Sequence, residues 1–136
     1  MSGDKKQLKR EYREQARPMG VFAIRNLADE RVFVGSGLDL QGIMNRHRFA
    51  LEMNGHQNKR LQADWNELGA ERFAFEILDQ LSPKELGQAD LKRELQFLED
   101  LWLEKLEPYG ERGYNQPKLT REERLRRIHE RMRDEG

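Results

Sequence analysis

Residues 20–37 read Gly-Val-Phe-Ala-Ile-Arg-Asn-Leu-Ala-Asp-Glu-Arg-Val-Phe-Val-Gly-Ser-Gly. Two runs rich in β-branched and aromatic residues, Val21–Arg25 and Arg31–Val34, flank the polar stretch Asn26–Glu30. Runs of that kind joined by a short polar loop predict a β-hairpin. Gly35-Ser36-Gly37 is expected to break the chain after it.

Working outward, Asp39 is placed to N-cap a helix whose apolar stripe is Leu40, Ile43, Met44, His47 and Leu51. Asn54-Gly55 ends that helix. Asn58 opens a second one, with Leu61, Trp65 and Leu68 on one face and Gly69 as its stop. Phe73–Leu78 alternates apolar residues on one face and predicts a third strand. Ser82-Pro83-Lys84-Glu85 is a helix-start signature. The main helix that follows is expected over 89–106, with Leu91, Leu95, Leu98, Trp102 and Leu106 buried and Glu107-Pro108-Tyr109-Gly110 as its end.

At the front of the chain, Leu8, Tyr12 and Ala16 stand at helical spacing over 4–16, closed by Arg17-Pro18. At its end, Thr120-x-x-Glu123 starts a last helix with a thin stripe of Leu125, Ile128 and Met132. The element order α-ββ-αα-β-α-α predicts an α+β fold, a small antiparallel sheet flanked by helices. Residues 1–17 read as an N-terminal helical extension, 18–116 as the central domain and 117–136 as a charged C-terminal helix.

The 136 residues carry 25 Lys+Arg against 25 Asp+Glu, so zero net charge gives no whole-chain indication of nucleic-acid binding. Charge is instead unevenly distributed. Gly42–Arg60 holds Arg46, Arg48, Lys59 and Arg60 but a single acid, Glu52. Absence of cysteine excludes disulfides, thiolate zinc sites and cysteine nucleophiles. Nothing reads as a membrane span or signal peptide, so a soluble cytoplasmic protein is the expectation. No pair of histidines has metal-binding spacing, which disfavours a histidine-based zinc or iron site.

Gly20-Val21-Phe22 and Phe33-Val34-Gly35-Ser36 on the hairpin are followed by Asn45-Arg46-His47 and by Gly55-His56-x-Asn58-x-x-Leu61-Gln62-x-x-Trp65-Asn66-x-x-Gly69. Phe73-x-Phe75-x-Ile77-Leu78, Leu98-Glu99-x-x-Trp102-Leu103 and Gly113-Tyr114-Asn115 complete the series. In order and spacing, over about residues 18–115, this resembles the GIY-YIG nuclease superfamily, in particular its homing-endonuclease branch. The resemblance implies metal-dependent hydrolysis of a DNA phosphodiester on a three-stranded sheet. It assigns a divalent ion (Mg or Mn) to Glu99, and supporting roles to His47, His56 and Asn115. Arg46, Arg48, Lys59 and Arg60 lie on the side where that family meets DNA, and the scarcity of acids around them predicts a phosphate-binding face. No separate DNA-reading module is recognisable, so weak sequence selectivity is expected.

Three positions depart from the family pattern. Both motif tyrosines are phenylalanine, Phe22 and Phe33, and the catalytic arginine position is Ile43. Phe keeps the ring but has no hydroxyl to move a proton; Ile supplies core area and no charge. Weak or absent catalysis is therefore expected, unless Arg46, Tyr109 or Tyr114 supplies the missing chemistry. Within its apolar stripe, His47 fits both a core histidine and a phosphate-side one. Without the resemblance, Glu99 reads as a surface carboxylate at the edge of a stripe. The competing function is a non-catalytic interaction or regulatory module on a nuclease-derived scaffold, contacting a protein partner through charged terminal helices.

Overall fold

The computed structural model describes residues 18–82, 88–117 and 119–135. The expected helix over 4–16 and the Pro83-Lys84-Glu85 helix start lie outside them. Strands β1 (Met19–Asn26), β2 (Val32–Gly37) and β3 (Phe73–Leu81) form one antiparallel sheet in the order β2-β1-β3. Helices α1 (Leu40–Glu52) and α2 (Lys59–Leu68) follow the hairpin, α3 (Gln88–Leu106) follows β3, and α4 (Arg121–Glu135) ends the chain.

The helix starts follow their capping residues. Asp39 accepts from the Gly42 N–H at 3.1 Å, Asn58 from the Leu61 N–H at 3.0 Å and Thr120 from the Glu123 N–H at 3.1 Å. One expectation fails locally: Gly35-Ser36-Gly37 does not break the chain. These residues continue β2, because Gly35, Ser36 and Gly37 pair with Phe22, Val21 and Gly20 of β1. Pairing with a neighbouring strand outweighs the weak strand preference of Gly and Ser.

Alternation along the strands gives the sheet two buried faces. On one, Phe22 and Ile24 pack with Leu40, Met44 and Leu51 of α1, Leu61 and Trp65 of α2, and Tyr114. On the other, Val21, Val32 and Val34 pack beneath Leu98, Trp102, Leu103 and Leu106 of α3. α4 lies against α3 by only part of the expected stripe, with Leu125 half-buried. Ile128 is buried, Met132 is 54% exposed, and the charged Arg124 is as buried as the apolar residues.

β2 is an edge strand, and residues 113–115 cover part of that edge. Tyr114 N–H donates to the Val32 carbonyl at 2.9 Å. The Asn115 side chain accepts from the Val34 N–H and donates to the Val34 carbonyl, both at 2.8 Å, as a strand backbone would. The glycine end of β2 lies beyond this cover, and the candidate site is built around it.

Candidate functional site

On the α1 side of β2, the aromatic ring of Phe22 approaches Gly35 so closely that a Cβ there would sit 2.7 Å from two ring carbons. Glycine is required at that point by the ring, not by a turn. Phe22 and Phe33 both pack against His47, with ring centroids 5.4 and 5.3 Å away. Phe22 is fully buried, whereas Phe33 and Ile43 are half-buried at the margin of the core. A Cβ on Gly37 would collide with Ile43 Cδ1, so Ile43 lies flat on the end of β2. This is the sequence position at which the resemblance expects an arginine.

His47 and His56 form a pair, Nδ1 to Nε2, at 2.7 Å. Their tautomers follow from the network. The Asn58 N–H donates to His56 Nδ1 at 3.0 Å, so neutral His56 carries its proton on Nε2 and donates it to His47. His47 must then carry its own proton on Nε2, and the residue lines an open depression with Ile43, Arg46 and Gly55. Burial pushes His47 down to about 4, helped by His56 and then Arg46. His56 is lowered as well, first by burial, with Lys59 adding to it. Both rings are neutral at pH 7, and His47 offers a fixed N–H donor.

That arrangement has a consequence for stability. Between an unfolded pKa near 6.5 and a folded value of about 4, the unfolded chain binds a proton that the native state refuses. Stability is full above pH 6.5, falls as pH drops through this window and levels off below about 4. The loss is on the order of 2 kcal/mol once the ring's partial exposure is discounted. Urea midpoints measured against pH should show the decline, and His47→Asn should make it shallower, leaving the part that His56 contributes. An unchanged slope in that variant would remove His47 as its source.

On the opposite face, Val32, Val34 and Ser36 point toward α3. The Ser36 hydroxyl donates to Glu99 Oε2 at 2.5 Å. Glu99 shares a cleft with Tyr109, Asn115, Arg124 and Arg127. Arg124 donates to the Tyr109 hydroxyl at 3.0 Å and to Glu104 at 2.9 Å. Tyr109 is raised above its ordinary value, mainly by burial. Arg127 is held by Asp100 through two bonds of 2.8 and 2.7 Å.

The donor set suits only an open metal site. Among the described residues no group of three or more His, Asp or Glu converges. Glu99 offers one carboxylate with a hydroxyl beside it, which fits a hydrated divalent ion completing its shell with water and phosphate oxygens.

The expected site residues thus fall into two neighbouring groups around one strand end. Phe22, Phe33, Ile43, His47, His56 and Arg46 lie on the α1 side; Glu99 and Asn115 lie on the α3 side. Lys59 stands beside the histidine pair, as Arg46 does. Arg48 instead lies 4.5 Å over the Phe75 ring, among Glu52, Trp65 and Phe73. Arg60 donates to the Gly110 carbonyl at 2.6 Å. Tyr114 is removed as a substitute phenol: it is 1% exposed, and its hydroxyl donates to Asp64 at 2.6 Å. Ser36, bonded to Glu99, and Arg127, lining the Glu99 cleft, are not among the residues expected from the sequence. The one available signal was Asp100, a carboxylate in the middle of a helix that buries two faces.

Two solved structures are similar to this chain. A mutant catalytic domain of intron endonuclease I-TevI matches at 27% identity and a TM-score of 0.60, over 76% of this chain and 97% of that one. The catalytic domain of homing endonuclease I-TevI matches at 27% identity and 0.57, over 74% and 99%. No family model and no curated protein matches the chain. Together with the α+β topology, these similarities show a GIY-YIG-like, nuclease-like fold. Among the described residues no helix is long and apolar enough to cross a membrane.

Proposed function

We propose that this chain is a DNA-binding domain of nuclease descent whose phosphodiester hydrolysis is slow or absent. The observation that carries the reading is the contrast around the end of β2. His47, His56, Glu99 and Asn115 are held in hydrogen-bonded order, while Phe22, Phe33 and Ile43 fill their positions with apolar packing.

Each group has a definite capacity. Arg46 and Lys59, both exposed, attract backbone phosphates. The His47 Nε2–H donates to a phosphate oxygen. Glu99, oriented by Ser36, is the residue that would hold Mg or Mn, and a bound ion would supply Lewis-acid polarisation of a phosphate oxygen. Phe22 and Phe33 accept no proton, so neither ring can act as the base for an attacking water. Ile43 adds no positive charge where charge would build up.

Binding of a short labelled duplex, followed against NaCl, tests the reading. Arg46→Glu combined with Lys59→Glu should weaken binding on the order of tenfold or more and lower the salt slope by about one for each phosphate no longer neutralised. Native protein with no affinity at low salt would instead favour the interaction-module reading. One observation supports that second reading: Phe49 and Met53, one turn apart on the α1 side, are each 65% exposed.

A further inference from the structure

The catalytic arginine position of the resemblance is occupied by Ile43, yet the Glu99 cleft does contain guanidinium groups, and they come from α4. We propose that Arg127 contacts a DNA backbone phosphate beside Glu99, so that the C-terminal helix is part of the nucleic-acid site and not an appendage to it. The inference rests on the DNA-binding reading above and names a residue which that reading does not contain.

Three observations carry it. Arg127 and Glu99 line one cleft and lie close enough for the Glu99 charge to act on Arg127. The two bonds to Asp100 engage Nε and Nη2, one edge of the planar fork, which leaves the Nη1 edge turned away from Asp100. Asp100 is 1% exposed, whereas the Arg127 side chain is 45% exposed. A buried carboxylate thus fixes the orientation of a guanidinium on a side chain that is itself nearly half-exposed. Pre-orientation of that kind is what phosphate recognition by arginine needs.

Arg124, which lines the same cleft, does not have this freedom. Arg124 is buried and its two terminal nitrogens are engaged by Tyr109 and Glu104. It positions Tyr109 and ties α4 to α3. The plainer role for Arg127 is the same, a tether between the two helices, and the experiment must separate a tether from a phosphate ligand.

Asp100→Asn with Arg127→Gln does so, because it removes one charge of each sign. Net charge is unchanged, no buried carboxylate is left unpaired, and long-range attraction to DNA stays the same. With the short labelled duplex as probe, this double variant should bind on the order of tenfold more weakly, with a salt slope lower by about one. Arg127→Lys keeps the charge opposite Asp100 but loses the second donor edge, and a several-fold loss is expected from it. Thermal melts identify variants that fold, and if the double variant does not, Arg127→Lys decides. Folded variants with native affinity and slope would overturn the inference while leaving the DNA reading intact, provided Arg46→Glu/Lys59→Glu still weakens binding. Native protein that binds no duplex at low salt overturns both.

Discussion

Restoring the three missing groups together, Phe22→Tyr, Phe33→Tyr and Ile43→Arg, is expected to raise manganese-dependent nicking of supercoiled plasmid on the order of 10²-fold or more over the native chain. A single transition-state donor is typically worth ~10²–10³ in rate, and groups that act as a unit do not add. The arginine is the change most at risk of burying an unpaired charge. Ile43 is half-buried, though, and borders the open depression with Arg46 and His47, so a longer side chain has a way out. Phe33 is half-buried too, and its ring lies beside His47 and His56. Both ring acceptors are engaged, so a new hydroxyl there would accept from the His47 Nε2–H. Phe22 is the tightest position, fully buried against Gly35 and His47. A hydroxyl that found no partner there would cost about 1–3 kcal/mol, so a melt must accompany the assay. Adding Glu99→Ala to the triple variant should return nicking to the native level. A folded triple variant with no gain would mean that more than these three positions has drifted. Strong cleavage by the native chain would sink the proposal of slow or absent hydrolysis.

Tyr114→Phe should have the largest effect on stability and none on DNA affinity. The phenol donates to Asp64 at 2.6 Å and accepts from Asn26 Nδ2 at 3.0 Å, and Asn26 is fully buried. Burial first, and then the bond to Asp64, raises the phenol above its usual range and keeps it neutral. Removing the hydroxyl leaves Asn26 without an acceptor for that amide. Asp64 keeps only the longer contact to Arg31, at 3.6 Å. One broken bond plus one orphaned buried donor amounts to roughly 2–4 kcal/mol. For a chain of this size that corresponds to a melting midpoint lower by roughly 10 °C. Duplex binding measured well below that temperature should be unchanged. A native midpoint would refute the structural role; weakened duplex affinity in a folded variant would reinstate Tyr114 as a site residue.

Among the described residues, the sequence by itself determined the elements and their order, because those depend on near neighbours. The Leu40–Leu51 stripe, the Asp39, Asn58 and Thr120 caps and the alternation of Phe73–Leu78 involve residues within a turn or two of one another. The spacing of Phe22, Phe33, His47, His56, Glu99 and Asn115 likewise carried the resemblance, and with it the fold. Tertiary structure decided what those residues touch. Glu99 meets Ser36 across 63 positions of sequence, and Tyr114 meets Asn26 across 88. Gly35-Ser36-Gly37 became strand only because β1 lay alongside it to pair with. Arg127 reached the Glu99 cleft only because α4 packs on α3 through Arg124 and Ile128 and leaves Met132 outside, which its thin apolar stripe could not specify. Helical period and capping are set by the local chain. Which side chain faces which across a sheet edge or between two helices is set by register and packing, and those exist only once the chain has folded.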